Sequence, residues 1–347
     1  MKYIFCFLFF LFSVLANGQG SHGFQVATSL DNDFFSPAGN KDENYTGGAK
    51  LEVLIPGLRL KWMPFYRFAG ANAINIQRFA FGGTAYTPQD LASSAVIRND
   101  RPYASLTFMS IGNTSISNNG KILLQSDIII GGIGKSGPGK VQSYIHRHHW
   151  FGTQRPDPMG WQNQIGYNGS LVINYNSRLQ KYLFSTSLRD NMSFQWMQGS
   201  LVGKVDIGNY MINLQSGIKF NLINYNSTVL QEYTPEPQVL LTGAQPITAP
   251  NKSFRFNLFV EPHVRLAAYN ATLEGLMFGD NSISKIPHNE VKRFLFEINA
   301  GVNLTLWDIL YLRYSFYGRS REFIGGKAFH TWGGITLGIS NRRWFRH

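Results

Sequence analysis

Cysteine is all but absent: among 347 residues there is only Cys6. It sits in the apolar run Tyr3 to Leu15, which follows Lys2 and precedes Ala16-Asn17-Gly18-Gln19. A basic start, a short apolar core and small residues before a cut after Gly18 describe a secretory signal peptide over residues 1–18. The run is too short and wrongly flanked for a spanning helix, and Cys6 lacks the small-residue context of a lipoprotein cleavage site. The mature chain, 19–347, is expected to form one domain without disulfides or thiol catalysis. Past the signal no stretch approaches the roughly 20 apolar residues that a membrane helix needs. Charge is scarce as well. Charged residues make up 15% of the chain, against about 25% in an ordinary soluble domain. The net charge is +12 without long charge runs, which favours anionic lipid head groups or glycans over nucleic acid.

What the chain has instead is 27 Phe, 16 Tyr, 7 Trp and 35 Gly, arranged in alternating patterns. In Phe294 to Leu306 one face carries Phe294, Phe296, Ile298, Ala300, Val302, Leu304 and Leu306, and the other Leu295, Glu297, Asn299, Gly301, Asn303 and Thr305. An apolar face backed by a polar one suits a wall with lipid outside and a polar lumen inside. A soluble sandwich would place more charge on its outer faces. The fold class is therefore all-β, a transmembrane antiparallel β-barrel in the outer membrane, expected as a monomer. About twelve strands are predicted, over 23–33, 46–55, 75–85, 102–114, 120–134, 163–177, 180–197, 201–222, 253–270, 292–307, 309–319 and 328–340. Trp307-Asp308 and Asn176-Ser177-Arg178 read as tight periplasmic turns. With both termini periplasmic, the loops after odd-numbered strands face outward, at 34–45, 86–101, 135–162, 198–200, 271–291 and 320–327. The long segments 56–74 and 223–252 then fall on the periplasmic side, where either has room for a further hairpin.

Within the third outward loop, Lys140 to Trp150 is the clearest helix candidate, with Ser136 and Pro138 as start signals. Gln142 and His146, four residues apart, share one helical face. Alone, a helix histidine is more often structural than catalytic. Three other clusters share its end of the barrel. Asp31-Asn32-Asp33 and Asp42-Glu43-Asn44-Tyr45-Thr46-Gly47-Gly48 offer carboxylate, amide and backbone oxygens that suit a hard cation such as Ca2+, although the same residues are ordinary turn formers. Arg101, in Asp100-Arg101-Pro102-Tyr103-Ala104, suits an oxyanion or phosphate, or an ion pair with Asp100 or a wall carboxylate. A histidine, an aspartate, amides and an arginine on one rim form an assembly able to hydrolyse an ester.

In this order, Asn32-Asp33-Phe34, Tyr45-Thr46-Gly47-Gly48, Asp100 to Ala104, Gln142 with His146, and Gly160-Trp161 with Gln164 resemble the lipid A 3′-O-deacylase family of outer-membrane barrels. The resemblance implies a twelve-stranded barrel that removes the 3′-linked acyl group of lipid A in a Ca2+-dependent reaction related to that of secreted phospholipases A2. It implies His146 as general base and Asp33 as a metal ligand. Asn32 would belong to the same catalytic cluster, with Thr46, Arg101 and Gln142 supporting it. Two positions depart from the family pattern. Phe151, Gly152 and Thr153 follow the histidine where some members carry a glutamate, and Ile165-Gly166-Tyr167-Asn168 brings no acid after Gln164. Rival readings are a passive pore or structural barrel, a lipid- or glycan-binding barrel without turnover, and a serine-type outer-membrane phospholipase with Ser143 as nucleophile.

Overall fold

The computed structural model describes residues 24–37, 43–56, 58, 60–63, 70, 73–117, 120–134, 137–149, 156–187, 194–225, 254–307 and 309–340. The predicted signal peptide and most of 223–252 lie outside them. Among the described residues twelve strands form a closed barrel: β1 (Gln25–Asn32), β2 (Asn44–Pro56), β3 (Ile74–Thr87), β4 (Ala104–Ile116), β5 (Ile122–Ile133), β6 (Ser170–Ser187), β7 (Phe194–Gly208), β8 (Met211–Tyr225), β9 (Phe254–Asn270), β10 (Phe294–Leu306), β11 (Leu310–Ser320) and β12 (Phe329–Ser340). Each strand pairs antiparallel with its sequence neighbours, and β1 closes the ring against β12 from Gln25↔Ser340 to Asn32↔Gly333. Closure leaves no unpaired edge, the condition for a sheet in lipid. Helix α1 (Gly137–Arg147) stands in the β5–β6 connection, one turn earlier than the sequence suggests, and α2 (Ala271–Glu274) follows β9.

The middle strands correct the sequence reading. Asn176-Ser177-Arg178 is not a turn but the centre of β6, and the outward connection expected at 198–200 is internal to β7. The physical reason is the lumen. Asn176 accepts from Asn174 at 2.7 Å and Arg178 pairs with Glu261 at 2.8 Å, so residues that signal a turn elsewhere are ordinary inward side chains here. The real β7–β8 turn is Asn209-Tyr210. The Asn209 side chain laces it to β6, accepting from the Ile173 amide and donating to the Leu171 carbonyl, each at 2.8 Å. The turn at Trp307 between β10 and β11 is as expected, with the Ile309 amide donating to the Leu306 carbonyl.

Alternation decides which face each residue takes. On β10 Phe294 and Phe296 are exposed outside, while Leu295, Glu297, Asn299 and Asn303 are buried inside. The lumen is packed rather than open. Near the chain termini Ala27, Leu54, Ile76, Ile116 and Leu123 form an apolar layer. At the opposite rim Tyr45, Tyr86, Tyr317 and Trp332 pack ring against ring at 5.3–5.5 Å. Between them lie buried ion pairs. Glu52 and Asp127 share Arg78, at 2.6 and 3.1 Å. Glu297 meets His263 at 2.8 Å, Arg265 at 3.0 Å and Arg319 at 2.5 Å.

Removing one partner of such a network leaves a buried charge without compensation, at a cost of about 3–5 kcal/mol. Glu297→Ala should therefore unfold at a clearly lower temperature in heat-modifiability gels, whereas an exposed change such as Phe294→Leu should not. Wild-type protein in planar bilayers should show no steady conductance.

Candidate active site on the outer wall

Asp31 faces the lumen, where the Tyr45 hydroxyl donates to its carboxylate at 3.3 Å. The next residue, Asn32, must therefore face outward. It ends β1 and caps the short 3₁₀ turn Asp33–Phe35, its Oδ1 accepting from the Phe34 amide at 2.7 Å. Its Nδ2 donates to the Thr46 carbonyl at 2.9 Å, tying the end of β1 to the start of β2. A β-bulge between Tyr45 and Gly47 makes Thr46 the extra residue of β2. Tyr45 keeps to the lumen, so Thr46 and Gly47 both take the outer face, as bulges beside functional sites often re-aim a side chain. The Thr46 hydroxyl pairs with that of Thr87 at 2.6 Å. Gly47 is required here, since a Cβ would stand 2.6 Å from the Asp31 carbonyl. Asp33 is buried at the same corner.

Helix α1 lies against the same outer wall. A Cβ on Gly83 of β3 would meet Pro138 at 2.8 Å, and one on Gly137 would meet the Thr107 hydroxyl of β4 at 3.6 Å. The helix thus begins where the wall is smoothest, with Pro138 in its first turn, where a missing N–H costs nothing. Gly139, Gln142, Ser143 and His146 form its buried face. Val141, Tyr144, Arg147 and His148 point away and are exposed. The sequence spacing of Gln142 and His146 therefore does place both on the buried face of the helix, which packs on β3 and β4.

His146 Nδ1 lies 2.7 Å from the carbonyl oxygen of Pro156. A carbonyl only accepts, so Nδ1 carries the proton and Nε2 is the basic nitrogen. Sequence reasoning had no means of finding this partner, because a backbone carbonyl has no residue signature. The chain that returns from α1 is strapped to the β4 entrance. The Met159 amide donates to the Leu91 carbonyl, Gly160 sits against the Tyr103 ring, Trp161 and Tyr103 pack at 4.9 Å, and the Ser105 hydroxyl donates to Gln164 Oε1 at 2.8 Å. The Gly160-Trp161 and Gln164 signature thus clamps the loop.

Arg101 is placed elsewhere. It is buried on the lumen side over the Tyr86 ring, ion-paired with Glu322 and donating to the Thr272 hydroxyl at 2.8 Å. Glu322, which the sequence did not single out, also meets Arg319 at 2.9 Å. Asp100 instead accepts from the Gln89 amide and from the Arg101 amide. Glu43 pairs with Lys327 at 2.6 Å, joining the β1–β2 and β11–β12 loops, and Asp42 lies outside the described residues. For a metal, the oxygens this part of the chain offers are the buried Asp33 carboxylate and the amide, hydroxyl and backbone oxygens of Asn32 and Thr46. These are all hard ligands. Among the described residues no three His, Cys, Asp or Glu side chains group closely enough to hold a metal by themselves.

Two outcomes follow from this geometry. Gly83→Val should lift α1, exposing 137–147 to limited proteolysis while the barrel keeps its heat resistance. Burial opposes ionisation of Glu322, but the Arg101 and Arg319 guanidinium ions outweigh it and hold the carboxyl at about 2 against an ordinary 4.5. Its stabilisation is complete above the ordinary range and is lost as pH falls toward about 2. Glu322→Gln should therefore flatten the stability profile across that window.

The model of a family described as outer membrane protein LpxR matches residues 4–340. Among solved structures, LpxR from Salmonella typhimurium superposes with a TM-score of 0.72 at 16% identity, covering 91% of this chain and 99% of that one. The β domain of the Bordetella autotransporter BrkA follows with a TM-score of 0.41 at 7% identity, covering 92% and 98%. No curated protein sequence matches. With its family model spanning almost the whole chain, this twelve-stranded barrel belongs to the LpxR family of outer-membrane proteins.

Proposed function

We propose that the chain hydrolyses the 3′-linked acyl ester of lipid A at the outer face of its barrel, with His146 as the general base that activates water. Outer-membrane location and lipid A deacylation follow from family membership, and the residue roles are the proposal. The observation that supports them best is the hydrogen bond from His146 Nδ1 to the Pro156 carbonyl, which makes Nε2 the proton acceptor. His146 takes a proton from water as the water oxygen bonds to the acyl carbon, then returns it to the sugar oxygen as the ester C–O bond breaks. No covalent acyl-enzyme is formed. Gln142, one turn earlier on the same buried face, orients water or substrate.

The hard donor set at Asp33, with Asn32 and Thr46 beside it, fits Ca2+ completed by water and substrate oxygens. Bound there, the cation would polarise the acyl carbonyl and stabilise the oxyanion. Asn32 holds the corner together through its bonds to Phe34 and Thr46, and Thr87 fixes the Thr46 hydroxyl. Below the site the outer wall carries Leu30, Leu51, Phe81, Met109 and Ile130 on adjoining strands, a lipid-facing surface along which an acyl chain can lie. Arg101, engaged with Glu322 on the lumen side, takes no part in this chemistry. The packed lumen argues against a passive pore.

The test is mass analysis of lipid A from outer membranes that carry the protein. Wild type should remove the 3′-linked acyl group with Ca2+ present and lose activity in chelator, regaining it on add-back. His146→Ala should lower the rate by about 10²–10⁴-fold, and Asp33→Ala should abolish the Ca2+ response. Unchanged lipid A in the wild type, or full activity in both variants, would sink the proposal, and inactivation by a serine-directed covalent inhibitor would point to an acyl-enzyme instead.

A further inference from the structure

This inference rests on the reading of His146 as the base and concerns what holds its ring. Catalytic histidines are usually oriented by a carboxylate, and no acidic residue stands between His146 and Asp157 in this sequence. The Pro156 carbonyl lies 2.7 Å from the ring's Nδ1. Pro156 leads into a stretch of chain tied down at two points, Asp157 and Met159 to Trp161. At the first, Asp157 Oδ2 pairs with Arg147 Nε at 3.1 Å, and Arg147 directly follows His146 on α1. The same Arg147 Nε also donates to the Ser143 carbonyl at 3.3 Å, back along the helix. At the second, the Met159 amide donates to the Leu91 carbonyl at 2.9 Å, and Gly160 and Trp161 lock onto Tyr103.

We propose that Asp157 and Arg147 are positioning residues, which clip the return segment to α1 so that the Pro156 carbonyl holds His146 in its Nδ1–H tautomer. The carbonyl orients the ring without adding a negative charge, and the clip fixes where that carbonyl stands. The pair is partly solvent-exposed, with Arg147 64% and Asp157 32% accessible. Such a pair contributes little to stability. Its loss should therefore be felt at the ring and not in the fold, which separates a positioning role from a structural one.

The experiment uses full-length barrel in detergent micelles, labelled with 15N-histidine, with the His146 signals assigned by difference from His146→Gln. Wild type at neutral pH should show the Nδ1–H tautomer. Arg147→Gln and Asp157→Asn should each mix the tautomers and lower kcat on lipid A by about 10- to 100-fold. KM and the unfolding temperature should stay as in wild type. The charge-swapped double variant Arg147→Asp with Asp157→Arg should recover both tautomer and kcat. An Nε2–H tautomer in wild type overturns the proposal, and so do single variants with wild-type ring signals and kcat. An effect of Arg147→Gln confined to KM also overturns it, since that marks a head-group contact. Failure of the deacylase reading shows separately, as wild type without lipid A turnover, and the ring signals then still decide whether the clip holds His146.

Discussion

A wall that faces lipid must turn its polar side chains inward, where those of different strands meet one another. The rest of the structure depends on that constraint. Arg78 between Glu52 and Asp127, Arg178 with Glu261, and Arg319 with Glu297 are its outcome, each a pair from different strands. Arg78 with Asp127 (β3 and β5) and Arg178 with Glu261 (β6 and β9) join strands that share no backbone ladder, whereas Glu52 with Arg78 and Arg319 with Glu297 tie adjacent strands. The last pairs, Arg319 with Glu322 and Glu322 with Arg101, carry the network up to the loops. The rim is thereby set by the same interactions that fill the lumen.

The lumen is filled, and the polar corner at Asn32 and Thr46 lies on the exterior of the wall. That corner adjoins the surface that lipid covers. What the barrel lacks on that side is a second wall. Helix α1 supplies it, seated over Gly83 and Thr107 with its buried polar face turned to the strands. The division of labour is clear at Arg101, which has the chemistry of an anion ligand but sits across the wall from the corner, with Glu322 occupying its guanidinium.

The barrel was legible because lipid outside and charge inside impose a two-residue period that few other settings share, as in Phe294 to Leu306. Strand positions were lost where that same lumen made Asn176, Ser177 and Arg178 look like a turn. The Gln142–His146 pair was legible from helical spacing, and Asn32 with Thr46 from their place in ordered short motifs. Thr87 was not, since a lone threonine before Pro88 carries no distinguishing pattern. Glu322 was hidden by distance along the chain, 221 residues from the arginine it neutralises. The Pro156 carbonyl was beyond reach in principle, because every residue has one and only the folded path of the chain selects it.

The extra residue in β2 has a further consequence. From Gly48 onward the even-numbered residues of β2 look inward, as Lys50, Glu52 and Leu54 do, whereas before the bulge an odd-numbered residue, Tyr45, looks inward. The bulge is thus a change of parity. The aromatic seal and the outer corner are written in opposite phases of one strand, and Thr46 is the frame-shift that reconciles them. One residue more or fewer between Tyr45 and Gly48 exchanges the inside of the protein for its outside.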